Sequence, residues 1–258
     1  MIDSKELSFK AVVFDLDGVI TQTAAVHAMA WKAMFDEYLK KVSEKNDTPF
    51  KEFTHQDDYL PYVDGKPRYD GVKSFLESRG ISIEFGDPAD SDTEETVCGL
   101  GNRKNTKFME ILHTDGVKTY PTTVDLIKEL KDKGIHIGVA SSSKNCEFVL
   151  ENVGLTEFFE TRVDGAVSAE IGLNGKPAPD IFIKATENMG CIPKDTIVVE
   201  DAASGVEAGS NGNFGLVIGL ARENNEEELK KHGADVVYKD FNETSLEKIE
   251  ELFCQKQN

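Results

Sequence analysis

The stretch Ala11-Val12-Val13-Phe14-Asp15-Leu16-Asp17-Gly18-Val19-Ile20-Thr21 decides how this chain is read. An apolar, partly β-branched run leads straight into two acids, a glycine and a threonine. It predicts a buried parallel strand that ends by placing carboxylates at its C-terminal tip. Open α/β sheets bind ligands along that edge. Asp15 and Asp17 are one residue apart, so on an extended chain both face the same way. Gly18 lets the backbone turn and come close to a ligand. Buried carboxylates this near repel each other unless a cation or a shared proton intervenes, and a hard divalent ion such as Mg²⁺ answers that need. The reading therefore calls for acidic and basic partners at other strand tips.

Outward from this strand, expected over 10–15, the pattern turns helical from Thr23 to about Lys41. Val26, Ala30 and Met34 form one stripe of that helix, and His27, Trp31 and Phe35 the next. Residues 44–70 read as loops with short turns, 71–80 as a short helix ending at Gly80, 81–97 as an acidic surface loop, and Asn102 to Leu112 as a helix. After Pro121, strands and helices alternate. Strands are expected at Ile135–Ala140, Thr196–Glu200, Gly215–Gly219 and Asp235–Tyr238, with helices at 122–133, 144–153, Pro179–Met189, 203–209, 223–232 and 244–253. Repeated strand–helix units mean a parallel sheet covered on both faces, here a Rossmann-like α/β core. Residues 1–21 and 116–258 are assigned to that core, and 22–115 to an inserted helical domain.

At 258 residues the chain can bury a substantial core, and 39% hydrophobic with 29% charged residues is ordinary for a globular protein. A formal charge of −18 opposes binding to nucleic acids and to anionic membranes. Cys98, Cys146, Cys191 and Cys254 lie far apart with no CxxC pair, so zinc and disulfide frameworks are not expected. A reducing cytoplasm is the expected setting, with no signal peptide and no membrane-spanning run.

Three later segments carry matching chemistry. Ile135–Ala140 runs into Ser141-Ser142-Ser143-Lys144-Asn145, where hydroxyls and backbone amides could cradle a phosphate or simply cap a helix. Gly175-Lys176-Pro177-Ala178-Pro179-Asp180 holds a lysine between fixed backbone positions, either to neutralise a transferring phosphoryl group or as a solvated loop residue. Ile197-Val198-Val199-Glu200-Asp201 ends a second strand in two acids, suited to ligate a metal opposite Asp15.

The ordered set resembles the haloacid dehalogenase-like phosphotransferase superfamily over about residues 8–22 and 117–240. The resemblance implies Asp15 as nucleophile and Asp17 as general acid/base. It makes Ser141 and Lys176 phosphate binders, and it makes Asp15, Asp17, Glu200 and Asp201 the Mg²⁺ ligands. Phe14–Thr23 followed by His27 and Trp31, with Ser141–Asn145 and Gly175–Phe182, resembles the β-phosphoglucomutase family. That closer likeness implies a cap His27 bonding the acid/base, Trp31 shielding the site, and Arg68 holding the non-transferring phosphate. It also implies Lys104 and Gly65 near the sugar, and Ser143, Lys144 and Asn145 as further substrate contacts. The expected reaction interconverts β-glucose 1-phosphate and glucose 6-phosphate through an aspartyl phosphate and glucose 1,6-bisphosphate. The alternative is a sugar-phosphate phosphatase on the same scaffold. The expected enzyme is monomeric, takes a small-molecule substrate, and binds neither nucleic acid nor membrane. Gln22 stands where the family pattern commonly has an acid, and Asp64 where it often has a lysine that Lys66 could replace. Tyr59–Arg68 and Gly99–Asn105 resemble a subgroup linked to trehalose or maltose breakdown. The cap carries extra segments near 42–60 and 81–98.

Overall fold

The computed structural model describes residues 7–257. In chain order the elements are β1 (Ala11–Phe14), α1 (Thr23–Asn46), the one-turn α2 (Leu60–Tyr62), α3 (Arg68–Ser78), α4 (Val97–Asp115), α5 (Pro121–Asp132), β2 (His136–Ala140), α6 (Cys146–Asn152), β3 (Thr161–Val163), α7 (Gly165–Ile171), α8 (Asp180–Asn188), β4 (Thr196–Glu200), α9 (Ala203–Asn211), β5 (Leu216–Leu220), α10 (Glu226–Lys231), β6 (Val236–Tyr238) and α11 (Leu246–Gln257). They fall into two compact units. One comprises the described residues up to Gln22 together with those from Lys118 onward; the other is Thr23–Val117. Among the described residues no helix is long and apolar enough to cross a membrane.

The first unit is built on a six-stranded sheet in the order β3-β2-β1-β4-β5-β6, with every neighbouring pair parallel. β1, β4 and β5 are buried along their whole length, as expected of strands covered on both faces. Side-chain alternation sorts their residues. Ala11, Val13, Val198 and Val217 pack with Ile181, Phe182 and Ala185 of α8 and Val206 of α9. Val12, Ile197, Val199 and Ile218 turn to the opposite face, against Leu126 and Leu130 of α5 and Leu246 and Ile249 of α11. The strand order reverses direction at β1, with β2 on one side and β4 on the other, and such a switch point opens a crevice at the strand tips.

The second unit has its own core. Trp31, Met34, Phe35 and Tyr38 of α1 meet Val72, Phe75 and Leu76 of α3, and Val97 and Leu100 of α4. Phe53 of the extra segment completes an aromatic cluster, 5.0 Å from Phe35 and 4.9 Å from Phe75 between ring centroids. The stripe residues Ala30, Trp31, Met34 and Phe35 are all buried.

The sequence pattern predicts no element at β3 or α7. β3 has three residues, too few to show alternation, and it forms only because β2 offers an edge to pair with. α4 begins at Val97 rather than Asn102, because Thr96 caps it by accepting from the Gly99 amide. Gly99 and Gly101 argue against a helix by propensity, yet both are close-packing sites. A Cβ on Gly101 would lie 2.8 Å from the Tyr69 ring.

Candidate active site

Alternation along β1 and β4 assembles the centre of the site. Asp15 continues the parity of Ala11 and Val13, and Glu200 that of Val198, so both carboxylates leave the sheet on the α8 face. The sheet pairing extends to this edge, since the Asp15 amide donates to Val199 O at 2.9 Å. Lys176, just before α8, reaches both acids. Its Nζ lies 2.5 Å from Asp15 Oδ1 and 2.5 Å from Glu200 Oε1, and 4.9 Å from the centroid of the Phe182 ring. The lysine is therefore a buried bridge and not a solvated loop residue. Burial alone would lower its pKa, but the two carboxylates outweigh it and hold the ammonium charged. Glu200 Oε2 accepts from the amides of Asp201 and Ala202, each at 2.8 Å.

Asp15 is pushed well above the usual carboxylate range, first by burial and then by Glu200 and Asp17, against the pull of Lys176. This edge holds more acid than Lys176 balances, which is the electrostatic condition for binding a cation. Asp17 reaches the edge by a turn. The strand ends at Phe14, and the following residues close on themselves through Gly18 N to Thr21 O at 2.7 Å and Ile20 N to Leu16 O at 2.9 Å. Asp17 sits within this turn, just before Gly18 at φ +86°, and faces the same edge as Asp15, whose carboxyl it helps to push up. The Asp201 carboxylate lies against Gly18, where an added Cβ would come within 1.7 Å of Oδ2. Among the described residues no three acidic, histidine or cysteine side chains converge as a complete metal cage. Mg²⁺ needs no such cage, since it binds through one or two carboxylates completed by carbonyls, water and phosphate oxygens. The hard oxygens of Asp15, Asp17, Glu200 and Asp201 suit it.

Ser141, at the tip of β2, is 1% exposed. Its hydroxyl donates to Asp17 Oδ2 at 3.4 Å and accepts from the Ser143 amide at 3.1 Å. Ser143 Oγ in turn accepts from the Asn145 amide at 3.2 Å. The serine run folds by capping its own amides before α6 starts at Cys146. β3 and α7 support it from below, with Gly165 N donating to Ser143 O. A Cβ on Gly165 would meet Ser142 O at 2.5 Å.

In the second unit, His27 stacks on Phe108 at 4.0 Å, and its Nδ1 hydrogen-bonds the Lys104 ammonium. Lys104 is buried, 5.1 Å from the Trp31 ring centroid and 4.8 Å from that of Phe108. The structure thus brings His27, Trp31 and Lys104 into one cluster. Arg68 stands apart from it, donating to Asn105 Oδ1 at 2.7 Å and to Asn102 Oδ1 at 3.4 Å. Gly65 is in the turn before α3 at φ +70°, and Lys66 donates to Ser74 Oγ at 2.9 Å.

The family model of the haloacid dehalogenase-like hydrolases matches residues 9–213. The chain belongs to the haloacid dehalogenase-like hydrolase family. Within this family it is 46% identical over 237 residues to the β-phosphoglucomutase of Mycobacterium bovis, covering 91% of this chain and 90% of that protein. It is 32% identical over 248 residues to the β-phosphoglucomutase of Bacillus subtilis, covering 95% and 96%. Among solved structures, the crystal structure of a β-phosphoglucomutase from Clostridium difficile matches with a TM-score of 0.75 at 27% identity, covering 96% of this chain and 98% of that one.

Some residues that shape this haloacid dehalogenase-like site escaped sequence reasoning. Arg222, beyond β5, donates from Nε to Gly18 O at 3.0 Å and stacks over Tyr120, 3.6 Å from its centroid, so it braces the Gly18 turn. No local pattern marks it. Asn102 and Asn105 hold Arg68, and their spacing of three on a helix was the available signal. Gln22, in place of the commoner acid, donates to Thr119 O at 3.1 Å.

Proposed function

We propose that this chain interconverts β-D-glucose 1-phosphate and glucose 6-phosphate, with Asp15 as the phosphoryl carrier. The identity to β-phosphoglucomutases along nearly the whole chain carries this reading. The bridge of Lys176 between Asp15 and Glu200 supports its chemistry. Asp15 would attack phosphorus and form an aspartyl phosphate while the leaving oxygen departs. Asp17 would give that oxygen its proton, and in the second half-reaction would take one from the attacking sugar hydroxyl. Lys176, held charged by its two acids, would act as a fixed cation toward the phosphoryl oxygens and not as a proton donor. Ser141 and the neighbouring amides would orient those oxygens. The Asp15 carboxylate, the Asp17 backbone carbonyl and Asp201, with Glu200 beside them, would hold Mg²⁺, which supplies neutralisation of charge between carboxylate and phosphate.

A mutase must also hold the phosphate that is not being transferred, and Arg68 is the proposed group for this. Lys104, Trp31, His27 and Gly65 would serve the sugar and the acid/base, with Ser143, Lys144 and Asn145 as further substrate contacts. The test is a coupled assay for glucose 6-phosphate formed from β-glucose 1-phosphate with Mg²⁺ and trace glucose 1,6-bisphosphate, run beside a free-phosphate assay. Product without stoichiometric phosphate release is expected, and Asp15→Asn should lower turnover at least ~10⁴-fold. Phosphate release without isomerisation would assign the chain as a sugar-phosphate phosphatase instead.

A further inference from the structure

Arg68 is a half-buried cation bonded to neutral oxygens. Its guanidinium donates to Asn102 and Asn105, and among the described residues it makes no ion pair with a carboxylate. Burial works against its charge. A partly desolvated guanidinium held by neutral amides keeps its charge available to an anion, which a carboxylate partner would cancel. The holder must then be rigid, and the structure shows what makes it so.

Asn102 uses both ends of its amide. Oδ1 accepts from Arg68 and from the Tyr69 hydroxyl at 3.1 Å, while Nδ2 donates to Pro88 O at 3.1 Å and Asp90 O at 2.8 Å. With two donors at one end and two carbonyls at the other, only one orientation of the amide satisfies the site. Those carbonyls belong to the extra segment of the cap. The segment closes on α4 through Val97 N to Glu84 O and Cys98 N to Phe85 O, both at 3.0 Å. Asp90 Oδ2 accepts from Thr96 Oγ1 at 2.5 Å, and Arg103 Nε donates to Asp92 O at 2.6 Å.

We propose that Asn102 is a positioning residue for Arg68, and that the 81–96 segment is the strap that holds its amide in register. This deepens the reading of Arg68 as the group that takes the non-transferring phosphate, and it rests on that reading. The segment is thereby a determinant of affinity for phosphorylated sugars, not of the phosphoryl transfer itself.

The test is a double-mutant cycle on the full chain, read as the dissociation constant of glucose 6-phosphate and the KM for β-glucose 1-phosphate. Asn102→Ala should weaken both about tenfold, as expected for losing one hydrogen bond to a charged group. Its kcat should change little, and slow hydrolysis of p-nitrophenyl phosphate, which has no second anion to hold, should stay unchanged. In an Arg68→Ala background the same substitution should have almost no further effect, because it acts through the arginine. Asn102→Asp, close to isosteric, should cost more than Asn102→Ala by pairing with Arg68, and it replaces the alanine variant if that one does not fold. Additive losses, or equal losses with p-nitrophenyl phosphate, would make Asn102 merely structural and overturn this inference alone. Unchanged sugar-phosphate affinity in Arg68→Ala would overturn the reading of Arg68 and this inference with it.

Discussion

At the first turn of α9, Gly205 has no side chain, and the Glu200 carboxylate occupies the space one would fill. A Cβ there would lie 1.8 Å from Oε1. Glu200 cannot step aside cheaply, because two backbone amides hold Oε2 and Lys176 holds Oε1. Gly205→Ala should therefore displace Lys176 and lower kcat by roughly 100-fold or more, the scale of losing a positioned charge at a reacting phosphoryl group. Helix propensity alone would stabilise α9 by about 1 kcal/mol, so a thermal melt near or above that of the parent would separate the site effect from damage to the fold. Activity equal to the parent would show that Glu200 does not position Lys176.

The contacts that attach the extra segment between α1 and α3 include the Asp58–Arg79 ion pair and the Phe53 side chain. Phe53 is buried, and its amide donates to Asp36 Oδ1 at 2.7 Å. Asp58 accepts from Arg79 Nε at 3.2 Å and Nη2 at 2.7 Å, and from the Thr54 amide at 2.8 Å. Burial raises the Asp58 pKa, but Arg79 and Thr54 more than offset it, and the net shift is downward. A depressed folded-state pKa contributes stability that is complete above the unfolded value of about 3.9 and is lost as pH falls through the folded one. This contribution should thus persist at neutral pH and decline progressively as pH falls below about 4. Asp58→Asn should cost about 2 kcal/mol at pH 7 by removing the charge that pairs with the half-buried Arg79, and less at pH 3. Urea titrations of both proteins at the two pH values check this, and a pH-independent difference would contradict the ion-pair account.

For the whole molecule, 47 acidic against 29 basic residues set a field that repels phosphorylated substrates. The cations proposed to meet phosphate and sugar are withdrawn from that surface, with Lys176 and Lys104 each 4% exposed. Local attraction then governs binding, while the long-range field slows approach. Raising ionic strength from about 10 mM to about 150 mM, which shortens the screening length to about 8 Å, should raise kcat/KM for β-glucose 1-phosphate a few-fold at constant free Mg²⁺. A steady fall across that range would show that local basic groups, not net charge, dominate the encounter.

The amino-acid order by itself determined what depends on near neighbours. Apolar runs set β1, β4 and β5, and the run after Phe14 puts Asp15 at a strand tip. The same short-range patterns mark the alternation of strand and helix after Pro121, and the α1 stripe that buries Trp31 and Phe35. Tertiary structure alone decided what depends on distant partners. Lys176 bridges acids 161 and 24 residues away, a pairing that only the strand order and side-chain parity create. Asp17 is oriented by a turn that Arg222 braces from 204 residues away. β3 exists because β2 offers it an edge, and Arg68 of α3 is held by the neutral amides of Asn102 and Asn105, which α4 brings to it. Local propensity acts over a few residues, whereas hydrogen bonds and charges act through space, and the fold decides which of them meet.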